Sequence, residues 1–191
     1  IKKIILSTGG TGGHIFPAIA ISEYLTSKNI YNKITTDKRG YRFIKNYDLS
    51  CEIINSKSFI NKNPIILLVN FCLTILAFIK SFIFLIKEKP DLVIGFGGYA
   101  SVPVCLVASI FKIKLVIYEN NLIIGKANKF LANFSNIILS ANKDVQNLNR
   151  KNNNKIIKID IKIIVKTFTK PKPARLFWDL QLHQLILFCP N

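Results

Sequence analysis

Methionine is absent from this 191-residue sequence, tryptophan occurs once, histidine twice, and 10 acidic residues face 27 basic ones. The four cysteines, at positions 51, 72, 105 and 189, show no close pairing and have only two histidines for company. That excludes a zinc ribbon and a disulfide scaffold and points to a reducing compartment. The shortage of acid leaves a formal net charge of +17. Lys, Asn and Ile are all abundant, so part of the excess is compositional bias; the rest favours an anionic partner such as phospholipid, pyrophosphate or nucleic acid. Nucleic acid fits worst, because the lysines are scattered and the aromatics are not interleaved with them. No methionine stands at position 1, which leaves open whether Ile1 is the native start. The run Ile4-Ile5-Leu6 is too short for a signal peptide and leads straight into glycines.

Half of the residues are hydrophobic and 19% are charged, enough apolar material, regularly enough distributed, for a folded domain. Ile4-Ile5-Leu6-Ser7, a glycine cluster, and then apolar residues at helical spacing from Ile15 to Leu25 read as strand, loop and helix. Aliphatic runs recur at Glu52-Ile53-Ile54, Leu92-Val93-Ile94, Leu115-Val116-Ile117 and Ile137-Ile138-Leu139, most of them separated by helix-length segments. Uniformly apolar strands alternating with helices predict an α/β fold, a doubly wound parallel sheet, with the site at the carboxyl ends of the strands. Residues 65–86 carry a single charge, Lys80, and as a helix would be about 33 Å long. Three placements are open: a buried crossover helix, a crossover helix with one face on a membrane, and a true span. Lys80, Lys87 and Lys89 near its end suit anionic headgroups. After Asn142 the character changes. A polar run at 150–154 precedes a lysine–isoleucine alternation from Ile156 to Val165, read as a strand or linker, and the stretch from Lys170 onward does not fit the preceding rhythm.

Gly9-Gly10-Thr11-Gly12-Gly13-His14 lies between strand and helix, where missing side chains let backbone N–H groups approach an anion and the helix N-terminus adds positive potential. Phosphate or pyrophosphate is the expected guest, with a ligand-free tight turn as the plain alternative. The spacing is not the dinucleotide fingerprint and lacks the P-loop lysine, so NAD binding and ATP hydrolysis lose ground. His14, in the first turn of that helix, can exchange a proton with a hydroxyl or a phosphate, or merely cap and pack. A second cluster, Gly95-Phe96-Gly97-Gly98-Tyr99-Ala100-Ser101, also joins strand to helix, and two such loops in one sheet converge on one crevice. Glu119-Asn120-Asn121 ends another strand. Its carboxylate can act as a base or orient a sugar hydroxyl, and its amides can read hydroxyls; a turn with a helix cap is equally compatible. Asn128, in Gly125-Lys126-Ala127-Asn128-Lys129, is a weaker candidate.

In this order and spacing, these three motifs closely resemble the N-terminal half of the MurG family, the peripheral membrane glycosyltransferases of peptidoglycan synthesis. The resemblance covers about residues 2–142. It implies a Rossmann-like doubly wound domain, the N-terminal half of a GT-B glycosyltransferase. It further implies an inverting transfer of N-acetylglucosamine from UDP-N-acetylglucosamine to undecaprenyl-pyrophosphoryl-muramoyl-pentapeptide, with no cofactor and no metal ion. By residue carry-over Thr11, Gly12, Gly13 and Asn121 match donor-contacting positions, and Gly97, Gly98, Tyr99 and Asn128 belong to the substrate-binding set. His14 and Glu119 match catalytic positions, with His14 favoured to deprotonate the acceptor hydroxyl. The family lies on the cytoplasmic face of the bacterial inner membrane, so an anionic membrane surface joins the UDP-sugar and the lipid-linked acceptor as expected partners.

Two departures stand out: Asn120 where the family usually has Gln, and Val102 where it usually has Gly, which is expected to tighten backbone approach after the second loop. The domain is expected over 1–142, with 143–191 a linker and atypical tail and no donor-binding second domain, so that the lone chain has little or no transferase activity. The alternative from another class is a non-catalytic membrane-anchoring subunit of a two-chain GT-B transferase.

Overall fold

A strand that is apolar on every residue must be covered on both faces, and the packing follows that requirement. The computed structural model describes residues 2–56, 64–140, 142 and 144–158. Along the chain run β1 (Lys3–Ser7), α1 (Gly12–Ser27), β2 (Tyr31–Thr36), α2 (Lys38–Ile44), β3 (Cys51–Ile53), α3 (Pro64–Glu88), β4 (Leu92–Gly95), α4 (Ser101–Ile110), β5 (Lys114–Glu119), α5 (Lys126–Leu131), β6 (Ile137–Ser140) and β7 (Ile156–Lys158). The strands form one sheet in the order β3-β2-β1-β4-β5-β6-β7, with every neighbouring pair parallel. Side chains alternate between faces as the pleat demands. Ile4, Leu6, Leu92, Ile94, Val116 and Tyr118 pack with Ile15, Ala18 and Ile44 of α1 and α2. Ile5, Val93, Leu115 and Ile117 pack with Phe84, Leu85, Val104 and Cys105 of α3 and α4. The expected doubly wound α/β fold is what forms. The chain leaves β1 for β2 on one side and returns through α3 to β4 on the other, so the loops after β1 and β4 flank the topological switch point, where such sheets bind ligands.

The structure adds elements that the aliphatic runs did not mark. β2 contains one aliphatic residue, Ile34, and takes its place through Thr35 and Thr36, β-branched and buried between β1 and β3. α2 follows at once, opened by Asp37, whose Oδ1 accepts from the Gly40 amide at 2.9 Å. The sheet also continues past residue 142: Ile156–Lys158 pairs with β6, because the lysine–isoleucine run offers β6 a half-buried parallel edge. The expected strand or linker beyond residue 158, and the whole 170–191 tail, lie outside the described residues.

α3 is the crossover helix from β3 to β4 and is far from buried. Thr74, Ala77, Ser81, Phe84, Leu85 and Glu88 form a narrow buried stripe at helical spacing, while Ile65, Leu68 and Ile83 are 72%, 63% and 60% exposed. Residues Ile65–Glu88 are long and apolar enough to cross a membrane, with mean hydropathy 2.3. A fully buried crossover is therefore overturned: the stripe packs against the sheet and α4 while most of the helix surface is exposed. The far end is locked by charge. Glu88 accepts from Lys33 Nζ at 2.6 Å, the Tyr31 hydroxyl at 2.9 Å and Lys3 Nζ at 3.4 Å. Burial by itself would push the Glu88 carboxyl up, but these donors, Lys33 first, hold it below the ordinary carboxylate range; the bond to Glu88 in turn raises Lys33.

Candidate active site

The two glycine loops meet. β1 and β4 pair to their last residues, and the contact continues beyond them: Phe96 donates to the Ser7 carbonyl and Gly9 to the Gly97 carbonyl, both at 2.8 Å. At Gly98 an added Cβ would lie 2.6 Å from the Gly9 α-carbon, so only backbone fits between the loops. Gly97 and Gly98 have φ of +93° and +80°, which favours glycine at both. Two hydroxyls fix the outer turn: Ser101 Oγ donates to the Gly98 carbonyl at 2.9 Å and Ser56 Oγ to the Tyr99 carbonyl at 2.7 Å.

α1 begins directly from the first loop. Thr11 is its N-cap but forms no side-chain cap, so the amides of Gly12 and Gly13 open the helix without that acceptor. A Cβ at Gly13 would meet nothing within 4 Å. Pro17 has no N–H to give, which also removes the helical partner of the Gly13 carbonyl. One turn in, half-buried His14 presents its ring to the second loop: its Cε1 lies 3.1 Å from where a Gly97 Cβ would stand and its Cδ2 3.6 Å from the Gly98 equivalent.

A cleft of about 230 Å³ opens here, lined by His14, by Gly97, Gly98 and Tyr99, and by Gly125, Lys126, Ala127 and Asn128. Five of the residues singled out from the sequence therefore share one cavity, drawn from three loops. Thr11, Gly12 and Gly13 are not among its lining residues; they sit at the start of the helix that carries His14. Glu119 and Asn121 do not line it either. Glu119, 1% exposed, accepts four hydrogen bonds from its own surroundings. Oε1 receives the Asn121 amide at 2.9 Å and its Nδ2 at 2.8 Å, and Oε2 receives the Gly125 amide and Asn128 Nδ2, each at 3.0 Å. The carboxylate thus organises the 120–128 turn from beneath the cleft floor.

Asn128 Nδ2 also donates to the Tyr118 carbonyl at 3.0 Å. Two acceptors hold its NH₂ end, which fixes the amide's orientation and leaves buried Oδ1 without a hydrogen-bond partner among the described residues. Val102, expected to narrow the second loop, instead packs partly buried against the α3–α4 cluster. Burial pushes the Cys105 thiol beneath Gly95 up to about 12, so it is an inert filler rather than a nucleophile. Lys126, an exposed cation on the cleft wall, was not singled out from the sequence; its position after Gly125 at the start of α5 was the available signal. Arg39 was missed too, and only the fold brings it beside Gly10, where a Cβ would stand 2.8 Å from its own.

The chain is similar in sequence and in fold to known proteins. Residues 4–140 match the family described as the glycosyltransferase family 28 N-terminal domain. The UDP-N-acetylglucosamine--N-acetylmuramyl-(pentapeptide) pyrophosphoryl-undecaprenol N-acetylglucosamine transferase of Pelagibacter ubique is 37% identical over 155 residues, 81% of this chain and 43% of that protein. The enzyme of the same name from Bartonella bacilliformis is 37% identical over 140 residues, 73% of this chain and 37% of that protein. The crystal structure of Acinetobacter baumannii MurG superposes with a TM-score of 0.66 at 26% identity, covering 74% of this chain and 42% of that one. A UDP-GlcNAc 2-epimerase from Methanocaldococcus jannaschii, at 19% identity and TM-score 0.61 over 90% of this chain and 54% of its own, shares the fold. The chain spans less than half the length of the curated relatives it matches. With the family matched across the three loops that build the cleft, this chain belongs to glycosyltransferase family 28, over that family's N-terminal domain.

Proposed function

We propose that this chain forms the acceptor- and membrane-side half of an inverting N-acetylglucosaminyltransferase that uses UDP-N-acetylglucosamine and an undecaprenyl-pyrophosphate-linked muramoyl-pentapeptide. The observation that carries the reading is the convergence of two interlocked glycine loops on one cleft edged by His14. In this reading an imidazole nitrogen of His14 takes the proton of the acceptor hydroxyl as its oxygen attacks the anomeric carbon. The bond from that carbon to the nucleotide's phosphate oxygen breaks with its electron pair, and the configuration inverts. Negative charge on the diphosphates is met by the amides of Gly12 and Gly13, the N-terminus of α1 and the Lys126 ammonium. Thr11 and Asn121 complete the donor side, and Gly97, Gly98, Tyr99 and Asn128 shape the acceptor side. Glu119 is assigned to positioning rather than proton transfer, because its four accepted bonds occupy both oxygens.

The exposed face of α3, with Lys80, Lys87 and Lys89, is the surface we assign to the cytoplasmic leaflet of the bacterial inner membrane, as a peripheral contact. The same face also favours the second reading, a non-catalytic anchoring subunit. The decisive experiment mixes the 191-residue chain with labelled UDP-N-acetylglucosamine and lipid acceptor, alone and with a relative's C-terminal half. The expected result is turnover only in the mixture, reduced at least a hundredfold by His14→Ala through kcat with KM for the donor little changed. Robust turnover by the lone chain would refute the half-enzyme reading. An unchanged kcat in His14→Ala would take the histidine out of the mechanism and favour the anchoring subunit.

A further inference from the structure

Two buried side-chain polar atoms lack a hydrogen-bond partner among the described residues, Thr36 Oγ1 and Asn128 Oδ1. Thr36 stands against Gly40 and Ile15 in the α1–α2 layer, and a hydroxyl rotates to suit its surroundings. Asn128 has no such latitude. It is 1% exposed on the cleft wall, and its Nδ2 donates to the Tyr118 carbonyl and to Glu119 Oε2, each at 3.0 Å. A flipped amide would set its carbonyl against two acceptors. Glu119 is fixed in turn by the amides of Asn121 and Gly125 and by Asn121 Nδ2. Oδ1 is therefore a permanent acceptor held in place by a carboxylate, and a buried acceptor left unpaired is costly.

Gly97 shows which donor stands nearby. A Cβ there would meet Asn128 Nδ2 at 3.1 Å, Asn128 Oδ1 at 3.2 Å and His14 Cε1 at 3.1 Å. Amide and imidazole, brought from α5 and α1, thus flank one bare α-carbon, and any side chain at 97 would crowd both. Cε1 joins the two ring nitrogens, so the edge of the ring nearest the amide is the edge that carries N–H. Lys126, exposed on the same wall, would have to give up water to donate instead.

Resting on His14 as the base, we infer that Asn128 is its positioning residue: Oδ1 accepts one ring N–H, and the other ring nitrogen turns its lone pair to the acceptor hydroxyl. Rotation of the imidazole about its Cβ–Cγ bond closes this contact. Glu119, Asn128 and His14 then form a chain of carboxylate, amide and imidazole. A carbonyl can accept but never donate, so it selects the tautomer, as the third group behind a base does. The buried carboxylate polarises the amide from behind, which favours the positive charge His14 acquires on taking a proton. Glu119 thereby acts on the reaction without reaching the cleft.

The test labels the histidines of the 191-residue chain with nitrogen-15 and reads the His14 tautomer by two-bond proton–nitrogen correlation at about pH 9, above the ordinary imidazole range. His14→Gln separates its signals from those of His183. One neutral tautomer is expected in at least about tenfold excess, and Asn128→Ala should return the ratio to that of free imidazole. Unfolding curves check that Asn128→Ala folds. If it does not, the wild-type ring decides: the excess supports the pairing and a free-imidazole ratio overturns it. In the mixture with a relative's C-terminal half, Asn128→Ala should lower kcat at least about tenfold with both KM values little changed. It should cost nothing further once His14→Ala is present. A ratio untouched by Asn128→Ala, together with a raised KM for the acceptor, would give Oδ1 to the substrate and refute the inference. Inactivity of the wild-type mixture would count against the transferase reading, while the tautomer, read without turnover, still decides the pairing.

Discussion

Gly98 and Gly13 are indistinguishable as members of glycine pairs in the sequence, yet their surroundings demand opposite outcomes on substitution by alanine. At Gly98 the new methyl would fall 2.6 Å from the Gly9 α-carbon and 3.2 Å from its nitrogen, both backbone atoms that no side-chain rotation can move. Its φ of +80° adds conformational strain of about 1–2 kcal/mol. Overpacking between two fixed loops adds about 1–3 kcal/mol, so Gly98→Ala should destabilise the domain by about 2–5 kcal/mol or force the loops apart. At Gly13 the methyl enters open space on a helix, where alanine is favoured over glycine by about 0.5–1 kcal/mol. Urea denaturation followed by circular dichroism measures both. The expected result is a lower midpoint for Gly98→Ala and an equal or higher one for Gly13→Ala, with the slope m unchanged in each. Pyrophosphate binding by Gly13→Ala should nevertheless weaken, since the methyl occupies the space assigned to the anion. An unchanged midpoint in Gly98→Ala would show that the loops do not interlock, and with them the shared cleft would go.

Glu119→Gln turns one acceptor oxygen into a donor that faces either the Asn121 amide and Nδ2 or the Gly125 amide and Asn128 Nδ2; a loss of about 2–3 kcal/mol in unfolding free energy is expected, and full stability would show that the carboxylate does not organise the turn. Glu88 is held below its usual range, so its contribution is present above the unfolded carboxylate value of about 4.3 and lost as pH falls through the lower folded value. Glu88→Gln should therefore flatten the acid limb of the stability–pH curve and cost about 2–3 kcal/mol at neutral pH by removing the charge opposite Lys33. Raised Lys33 gives the opposite limb: its stabilisation persists below about pH 10.4 and fades as pH climbs through its folded value. Leu68→Glu and Ile79→Glu on exposed α3 positions should leave unfolding curves within about 0.5 kcal/mol of wild type and weaken sedimentation with anionic vesicles severalfold; unaltered vesicle binding would remove α3 as the membrane face.

Much of this protein was legible in one dimension because the physics involved is local. Aliphatic runs on β1, β4, β5 and β6 are apolar on both faces, and only a sheet covered twice accommodates them. Glycine clusters following β1 and β4 mark strand-to-helix turns, and parallel pairing with every strand pointing the same way brings those turns to one edge. Less was legible where burial, not pattern, decides. β2 reads as polar yet is a central strand through two buried threonines. The crossover helix was readable as buried, as lying with one face on a membrane or as a span, and the narrowness of its buried stripe removes the first, because a run of apolar residues carries no information about which face finds cover.

The chemistry divides along the same line. The sequence by itself determined that the sheet is parallel and covered on both faces and that two side-chain-free loops meet at its carboxyl edge, since uniformly apolar strands and glycine's missing Cβ leave little else. Only tertiary structure decided that Glu119 spends its carboxylate on Asn121, Gly125 and Asn128 instead of facing the cleft, that Lys126 stands on the cleft wall, and that Arg39 lies against Gly10. Those relations join residues far apart in sequence or turned by a few dihedrals within one loop, and hydrogen-bond direction is fixed by where the neighbours stand, not by which residue types are present.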